Sequence, residues 1–412
     1  MRLAVRFRPL LAINLTNNLV YKYSLKNLSV NFFLFLMTTE VEHQSNENSD
    51  GIEKTYRIQK YTELEKKLKC PLIVYFTSTR PGLLTMMSSS AERPFINIIE
   101  KIPASQKEIA ILIHSRGGDP HTAWKLMSLL RGRFDNVKVV IPYMAYSAAT
   151  MFSLGANEII MHPYANLGPI DPQIKIKTSS GETAFAYEDL CGFFRFLKKE
   201  ANVNGEDQIT RLMEKMFGKL EPQSVGFAYR ASEMSNSIGE RMLKLHMEDP
   251  EKAKQIALNF NRSFHSHGDA ISRDIARKMN LKIHKNDLKL EKLIWETYLT
   301  IESYMKMNED FNPRTEVMKD EEVSKLLKNP LSVPIQSQIP QSPDVQAIVR
   351  ETFIRNSEER KKIRNHVEYK MILDLIETSE YSEVRVEKGF ISVDRNTLGI
   401  SINPSFSGWV NF

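Results

Sequence analysis

Cysteine is almost missing from this chain. Cys70 and Cys191 are its two in 412 residues, far apart and in no CxxC pairing, which excludes a disulfide framework and a cysteine-built zinc site. Such scarcity suits a reducing, cytoplasmic setting. Long apolar runs are missing too: VNFFLFLM (30–37) is less than half of the roughly 20 residues that a membrane span requires, so no integral membrane segment is expected. Acid is absent ahead of Glu40. Arg2, Arg6, Arg8, Lys22 and Lys26 thus supply five of the six net positive charges, leaving +1 for residues 40–412 and no case for nucleic-acid binding. The opening segment lacks the longer apolar region and small-residue cleavage site of a signal peptide. Met37 as the true start, a disordered extension and a targeting segment remain the readings of residues 1–36. Walker, GxSxG, dinucleotide and HExxH patterns are absent, and no cofactor is expected.

What the chain does have is alternation of strand and helix signals. CPLIVYFTS (70–78), EIAILIHS (108–115), VKVVIPYM (137–144) and NEIIMHP (157–163) are short apolar runs bounded by turn residues, as buried strands are. Between them, HTAWKLMSLLRGRF repeats apolar residues at Ala123, Leu126, Met127 and Leu130, the spacing of one helix face, with Asp119 as N-cap and Pro120 in the first helical position. SAATMFSLG gives a short buried helix closed by Gly155. Strand, helix, strand, helix, strand implies right-handed βαβ units and a parallel sheet, whose sites lie at the carboxyl ends of the strands. Two unusual turns, RGGDP (116–120) and AYSAA (145–149), fall on that edge.

The chemistry of these turns is complementary. Gly117 and Gly118 permit a sharp turn whose N–H groups, at a helix mouth, could face an oxygen that becomes negative in a transition state. Ser147, at a strand end and a helix start, is placed either to attack a carbonyl held there or simply to cap the helix.

The stretch from Ile111 to Gln173 resembles the ClpP/crotonase superfamily and, within it, the serine dehydrogenase proteinase family related to signal peptide peptidase A. Ser115 to Gly118 matches its Ser-x-Gly-Gly turn and Ala145 to Ala148 its small-x-Ser-Ala/Gly turn. LGPIDPQ (167–173), EPQSVGFAYRASE (221–233) and HGDAISRDIARKMNLKI (267–283) look like that proteinase family in particular, so the resemblance covers roughly residues 60–285. It implies an α/β fold: a ClpP/crotonase-like core of stacked βαβ units with a parallel sheet and covering helices. It also implies a serine peptidase working through an acyl-enzyme, with Ser147 matching the nucleophile and Gly117, Gly118 and Ala148 the oxyanion turn. Peptide or protein substrates and a homo-oligomer follow from the same resemblance. The chain departs from relatives at Arg116, where proline is usual.

A serine nucleophile needs a base within hydrogen-bond reach, and the sequence offers several candidates. Counting from Gly155 and Pro163 puts Ile170 where ClpP-type enzymes carry histidine, beside Asp171. Lys175 and Lys177 are candidates for a Ser/Lys dyad, and His162 is near in sequence, although its strand-end position suits a structural histidine. HSHGDAISRDIA, ahead of the last helix of the fold, offers His265 and His267; the favoured arrangement is Ser147 nucleophile, His267 base and Asp171 orienting the imidazole. His265, His267 and Asp269 as metal ligands lack any supporting motif, and no metal is expected. A catalytically inactive peptide-binding scaffold and an acyl-CoA enzyme of crotonase type are the alternative functions.

Around this core the expected organisation is a disordered or mis-started extension (1–50), the hydrolase domain (51–285), a helix and Pro-rich linker (286–345) and a small α+β C-terminal module (346–412). Residues 187–220 and 228–260 read as helices covering the sheet or a neighbouring subunit. CGFFRF (191–196) is read as core or interface packing before a substrate groove. The C-terminal module is read as a charged helix from about Val345 to Glu377, then short strands turning at Lys388-Gly389 and Arg395-Asn396.

Overall fold

The computed structural model describes residues 46–178, 181–218, 220–262, 270–328 and 342–411. The chain forms two units, Met1–Ile52 and Glu53–Phe412. Of the first, only the start of helix α1 (Asn46–Leu68) is described; the second holds everything below.

In chain order, α1 is followed by β1 (Leu72–Thr77), α2 (Glu92–Lys101), β2 (Glu108–His114), α3 (Pro120–Arg133), β3 (Asn136–Ile141), β4 (Met144–Ala145), α4 (Ala148–Leu154), β5 (Glu158–Met161) and β6 (Asn166–Leu167). A hairpin comes next, β7 (Gln173–Thr178) and β8 (Gly181–Ala186), then helices α5 (Tyr187–Lys199), α6 (Glu206–Phe217), α7 (Pro222–Leu243) and α8 (Pro250–Arg262). The chain continues through β9 (Ile271–Ser272), α9 (Arg273–Lys278), α10 (Leu288–Tyr304), α11 (Pro313–Lys319), α12 (Ser324–Lys328) and α13 (Pro343–Lys362), and ends in β10 (His366–Glu377), β11 (Ser382–Val393) and β12 (Ile400–Asn411).

β1, β2, β3 and β5 run parallel and adjacent, joined by the βαβ units expected from the sequence. Their continuous apolar character reflects burial on both faces. Ile109, Ile111 and Ile113 of β2 pack with Phe95 of α2 and Leu126 of α3, while Ala110 and Leu112 face Tyr61 and Leu64 of α1 and Ile294 of α10. Asp119 caps α3 by accepting the N–H groups of His121 (3.0 Å) and Thr122 (3.2 Å), with Pro120 in the first turn.

The C-terminal strands join this same sheet. β10 pairs antiparallel with β1, and β11 and β12 continue outward, giving the order β12-β11-β10-β1-β2-β3-β5. The charged helix ends at Lys362 rather than near Glu377. Beyond it Val367, Tyr369, Met371 and Leu373 alternate inward at period two against Phe311 and Val317, which is a strand pattern. No turn forms at Lys388-Gly389, which lie inside β11 opposite a bulge at Ser405 of β12, and the turn at Arg395-Asn396 connects β11 to β12. A buried ion pair ties β10 to α1: Glu377 accepts from Arg57 Nε (2.8 Å) and Nη2 (2.9 Å), and from Tyr61 and Ser382 hydroxyls.

Candidate active site

The two turns meet. Ser115 and Ala145 form an isolated parallel bridge, with Ser115 N–H donating to Met144 O (3.2 Å) and Tyr146 N–H to Ser115 O (3.0 Å). This carries RGGDP alongside AYSAA. The fit is close enough that a Cβ on Gly117 would stand 2.8 Å from Ser147 Cβ and 3.0 Å from Ala148 N. Both glycines occupy the left-handed side of backbone space, at φ 100° and 149°, which a side chain would strain.

Ser147 itself stands at φ 51°, ψ −117°, a region that non-glycine residues enter at a cost of about 1–3 kcal/mol. Its hydroxyl makes no capping hydrogen bond to α4. The cap reading of the sequence therefore finds no support in the geometry: the serine pays backbone strain at a sharp strand-to-helix turn without satisfying the helix end.

The Gly-Gly turn has its polar groups divided. Gly117 N–H is engaged by Ser115 Oγ (3.0 Å), and Gly117 O accepts from Met87 N–H (2.7 Å). Because C=O and N–H of one trans peptide point opposite ways, the Met87 bond turns Gly118 N–H away from Met87. Among the described residues no acceptor takes Gly118 N–H or Ala148 N–H. Arg116, at the position where a proline was expected, donates from Nη2 to Thr79 O (2.9 Å) and so tethers the turn from its exposed side.

A second, three-stranded sheet lies beside the turns, in the order β4-β6-β9. Met144 pairs with Asn166 and Asn166 with Ser272; Ala145 pairs with Leu167 and Leu167 with Ile271. β6 runs parallel to β4 and β9 antiparallel to both, so Ala145, Leu167 and Ile271 share one end of it. Ser147 and Asp171 leave from that end. LGPIDPQ is fastened there: Thr150 Oγ1 of α4 donates to Ala145 O (2.7 Å) and accepts Gly168 N–H (3.0 Å), Ile170 N–H donates to Phe260 O (3.0 Å), and Ser235 Oγ donates to Ile170 O. Asp171 is half-buried.

His265, His267 and Asp269 lie outside the described residues. Lys175 and Lys177 stand on β7 opposite Ala184 and Glu182, and their side chains are likewise outside the description. His162 is buried between Trp295, stacked at 5.1 Å, and Tyr164, edge-on at 4.8 Å, and its Nδ1 accepts Tyr164 N–H (3.1 Å). Burial lowers its pKa, so it is an uncharged member of an aromatic cluster. Among the described residues no cluster of three His, Cys, Asp or Glu could hold a metal, and no helix is long and apolar enough to cross a membrane.

Thr77, Thr150 and the role of Ser115 escaped sequence reasoning. Single hydroxyls at strand ends or inside a short helix carry no pattern.

Comparison with known proteins bears on this region. Residues 86–184 match the family model of ClpP-like SDH-type serine proteinases. Two uncharacterised proteins of Methanocaldococcus jannaschii are 35% identical over 79 residues (19% of this chain, 28% of that protein) and 36% identical over 66 residues (16% and 23%). The chain thus spans about a quarter of the length of these curated relatives. Among solved structures, the 1510-N membrane-bound stomatin-specific protease aligns at 13% identity, covering 53% of this chain and 83% of that chain with a TM-score of 0.33. ClpP1 from Listeria monocytogenes aligns at 14% identity over 55% and 99%, with a TM-score of 0.27. RGGDP, AYSAA and LGPIDPQ all lie inside residues 86–184, the segment that matches the model of ClpP-like SDH-type serine proteinases.

Proposed function

We propose that the protein is a serine peptidase that cleaves peptide bonds through an acyl-enzyme on Ser147. The observation that carries this reading is the strained backbone of Ser147, whose hydroxyl caps nothing, packed against a glycine turn with two uncommitted N–H groups beside it. Strain of this kind persists where a surrounding structure imposes it for function. Ser147 Oγ attacks the scissile carbonyl and its proton passes to the base. The carbonyl oxygen, now negative, is held by Gly118 N–H and Ala148 N–H, donors already in place before reaction. Gly117, expected as a third donor, instead serves as the hinge that brings the turn against Ser147, since its N–H is engaged by Ser115.

His267 is the proposed base and Asp171 its orienting carboxylate. The register of the small sheet supports this: Ile271, four residues after His267, lies at the end of the β4-β6-β9 sheet from which Ser147 and Asp171 depart. Collapse of the tetrahedral intermediate expels the leaving amine with the proton from His267, and water, activated by the same imidazole, releases the acyl group. Phe193, Phe196, Phe227 and Tyr229 are exposed on α5 and α7, an apolar surface in keeping with the expected homo-oligomer.

Labelling by a fluorophosphonate probe tests the assignment. It is expected in the wild type and absent in Ser147→Ala and His267→Ala. Labelling that persists in His267→Ala and disappears in Lys177→Ala transfers the base to lysine, and labelling unaffected by Ser147→Ala removes the reading altogether.

A further inference from the structure

The proposed oxyanion turn is built from two adjacent glycines, the residues with the greatest backbone freedom. Its working donor, Gly118 N–H, belongs to the peptide between Gly117 and Gly118. Rotation of that one peptide plane would turn the N–H aside and present a carbonyl oxygen to a negative charge. A proline ahead of the glycines would restrict the chain; Arg116 does not restrict it in this way. Something else must hold the plane.

Two hydrogen bonds on Gly117 do so. Its O is fixed by Met87 N–H at 2.7 Å and its N–H by Ser115 Oγ at 3.0 Å. The Ser115 hydroxyl is in turn held by Thr77, whose Oγ1 donates to it at 2.8 Å. With one lone pair taken by the Thr77 proton, Ser115 Oγ has its other lone pair for Gly117 N–H and its own hydrogen for Gly117 O, 3.4 Å away. Both hydroxyls are sealed from solvent, Thr77 and Ser115 each being 0% exposed, so no water can replace a lost partner at little cost.

We infer that Thr77 is a positioning residue for catalysis, acting through Ser115 to fix the Gly117–Gly118 peptide in the orientation that stabilises the oxyanion. The inference rests on the functional reading above. It also gives the C-terminal strands a part in the site. Thr77 is the last residue of β1, and it is paired across the sheet with Asp374 of β10, with Ser78 N–H donating to Leu373 O (2.7 Å). The strand end that holds Ser115 is therefore itself pinned by a segment almost 300 residues later in the chain.

The test uses the full-length protein and the fluorophosphonate probe, with the labelling step separated into its maximal rate and the probe concentration giving half of it. Thr77→Val keeps the shape of the side chain and removes the donor; Thr77→Ser keeps the donor. The maximal labelling rate is expected to fall about ten- to hundred-fold in Thr77→Val with the half-saturating concentration within about twofold, and to return in Thr77→Ser. A Thr77→Val protein that labels like the wild type overturns the inference, as does equal loss in both variants. If Thr77→Val does not fold, Ser115→Ala is read in its place, with normal labelling again overturning the inference. Wild-type labelling that survives Ser147→Ala removes the functional reading, whereas loss in Ser147→Ala alongside normal labelling in Thr77→Val removes only the role of Thr77.

Discussion

A Cβ placed on Gly117 would stand 2.8 Å from Ser147 Cβ and 2.5 Å from Tyr146 O, closer than real side chains approach. Gly117→Ala therefore cannot be absorbed without moving the two turns apart, and alanine is also strained at φ 100°. The expected outcome is a folded protein less stable by about 1–3 kcal/mol. Its fluorophosphonate labelling is expected to fall by about a hundredfold or more, since a displacement near 1 Å is enough for that. Near-normal labelling would show that the turn is not part of the machinery.

Ser147 gives a prediction of opposite sign. Its φ of 51° with ψ of −117° suits glycine and strains every other residue. Ser147→Gly relieves that strain while adding unfolded-state entropy of about 0.5–1 kcal/mol. The net expectation is a gain of roughly 1 kcal/mol in thermal or denaturant unfolding, with all labelling lost. Ser147→Ala should lose labelling without the gain. Equal stability of the two variants would argue that the backbone at 147 is unstrained.

The parts of this arrangement that could be read in the sequence are those with a local chemical signature. RGGDP announced a turn, an N-cap and a helix start in five residues, and all three are present. The four parallel strands were visible because burial on both faces leaves an unbroken apolar run. β4, β6 and β9 were not, since two residues are too few to show a period. β10 was hidden for another reason: the Lys/Glu/Arg-rich composition of α13 runs on into HVEYKMIL, whose alternation becomes meaningful once Phe311 and Val317 are seen to cover one face. Thr77 is a single hydroxyl whose significance depends on a partner 38 positions away.

Two buried groups should tilt the pH dependence of stability in opposite directions. Burial, with Arg116 nearby, pushes His114 down to about 3, and its ring lies within the Phe76, Tyr143 and Tyr298 cluster. Below about pH 6.5 the unfolded chain protonates this histidine and the native state does not, so up to about 5 kcal/mol of stability is lost as pH falls toward 3. Burial also pushes Asp374 up to about 6, against the pull of Arg385 and with Tyr75 as its other close titratable neighbour. Between about pH 6 and 4 the native state holds that proton and the unfolded chain does not, so stability from this group, about 3 kcal/mol, is gained as pH falls. Over that window the two contributions cancel. His114→Phe should become more stable relative to wild type as pH falls from 6 to 4, and Asp374→Asn should show the reverse, in urea titrations at each pH. Parallel curves for the three proteins would refute the assignment.

The last prediction concerns the anchor that holds the C-terminal strands to the front of the domain. Arg57 and Glu377 are almost wholly buried, at 1% and 0% side-chain exposure, and meet through two hydrogen bonds. Burial alone would push the Glu377 carboxyl up, but the hydrogen bonds and charge of Arg57, joined by Ser382 and Tyr61, hold it below its ordinary value. Such a pair contributes little net stability compared with apolar residues of the same volume, yet removing one partner leaves a buried charge alone. Arg57→Met should therefore cost about 3–5 kcal/mol, and Arg57→Met combined with Glu377→Leu should cost less than either single change. Equilibrium unfolding of the three variants measures this directly. Additive losses would mean that each side chain acts through its own packing. A strongly coupled cycle would instead identify the ion pair as the device that fixes α1 on β10, the strand paired with the end of β1 that carries Thr77.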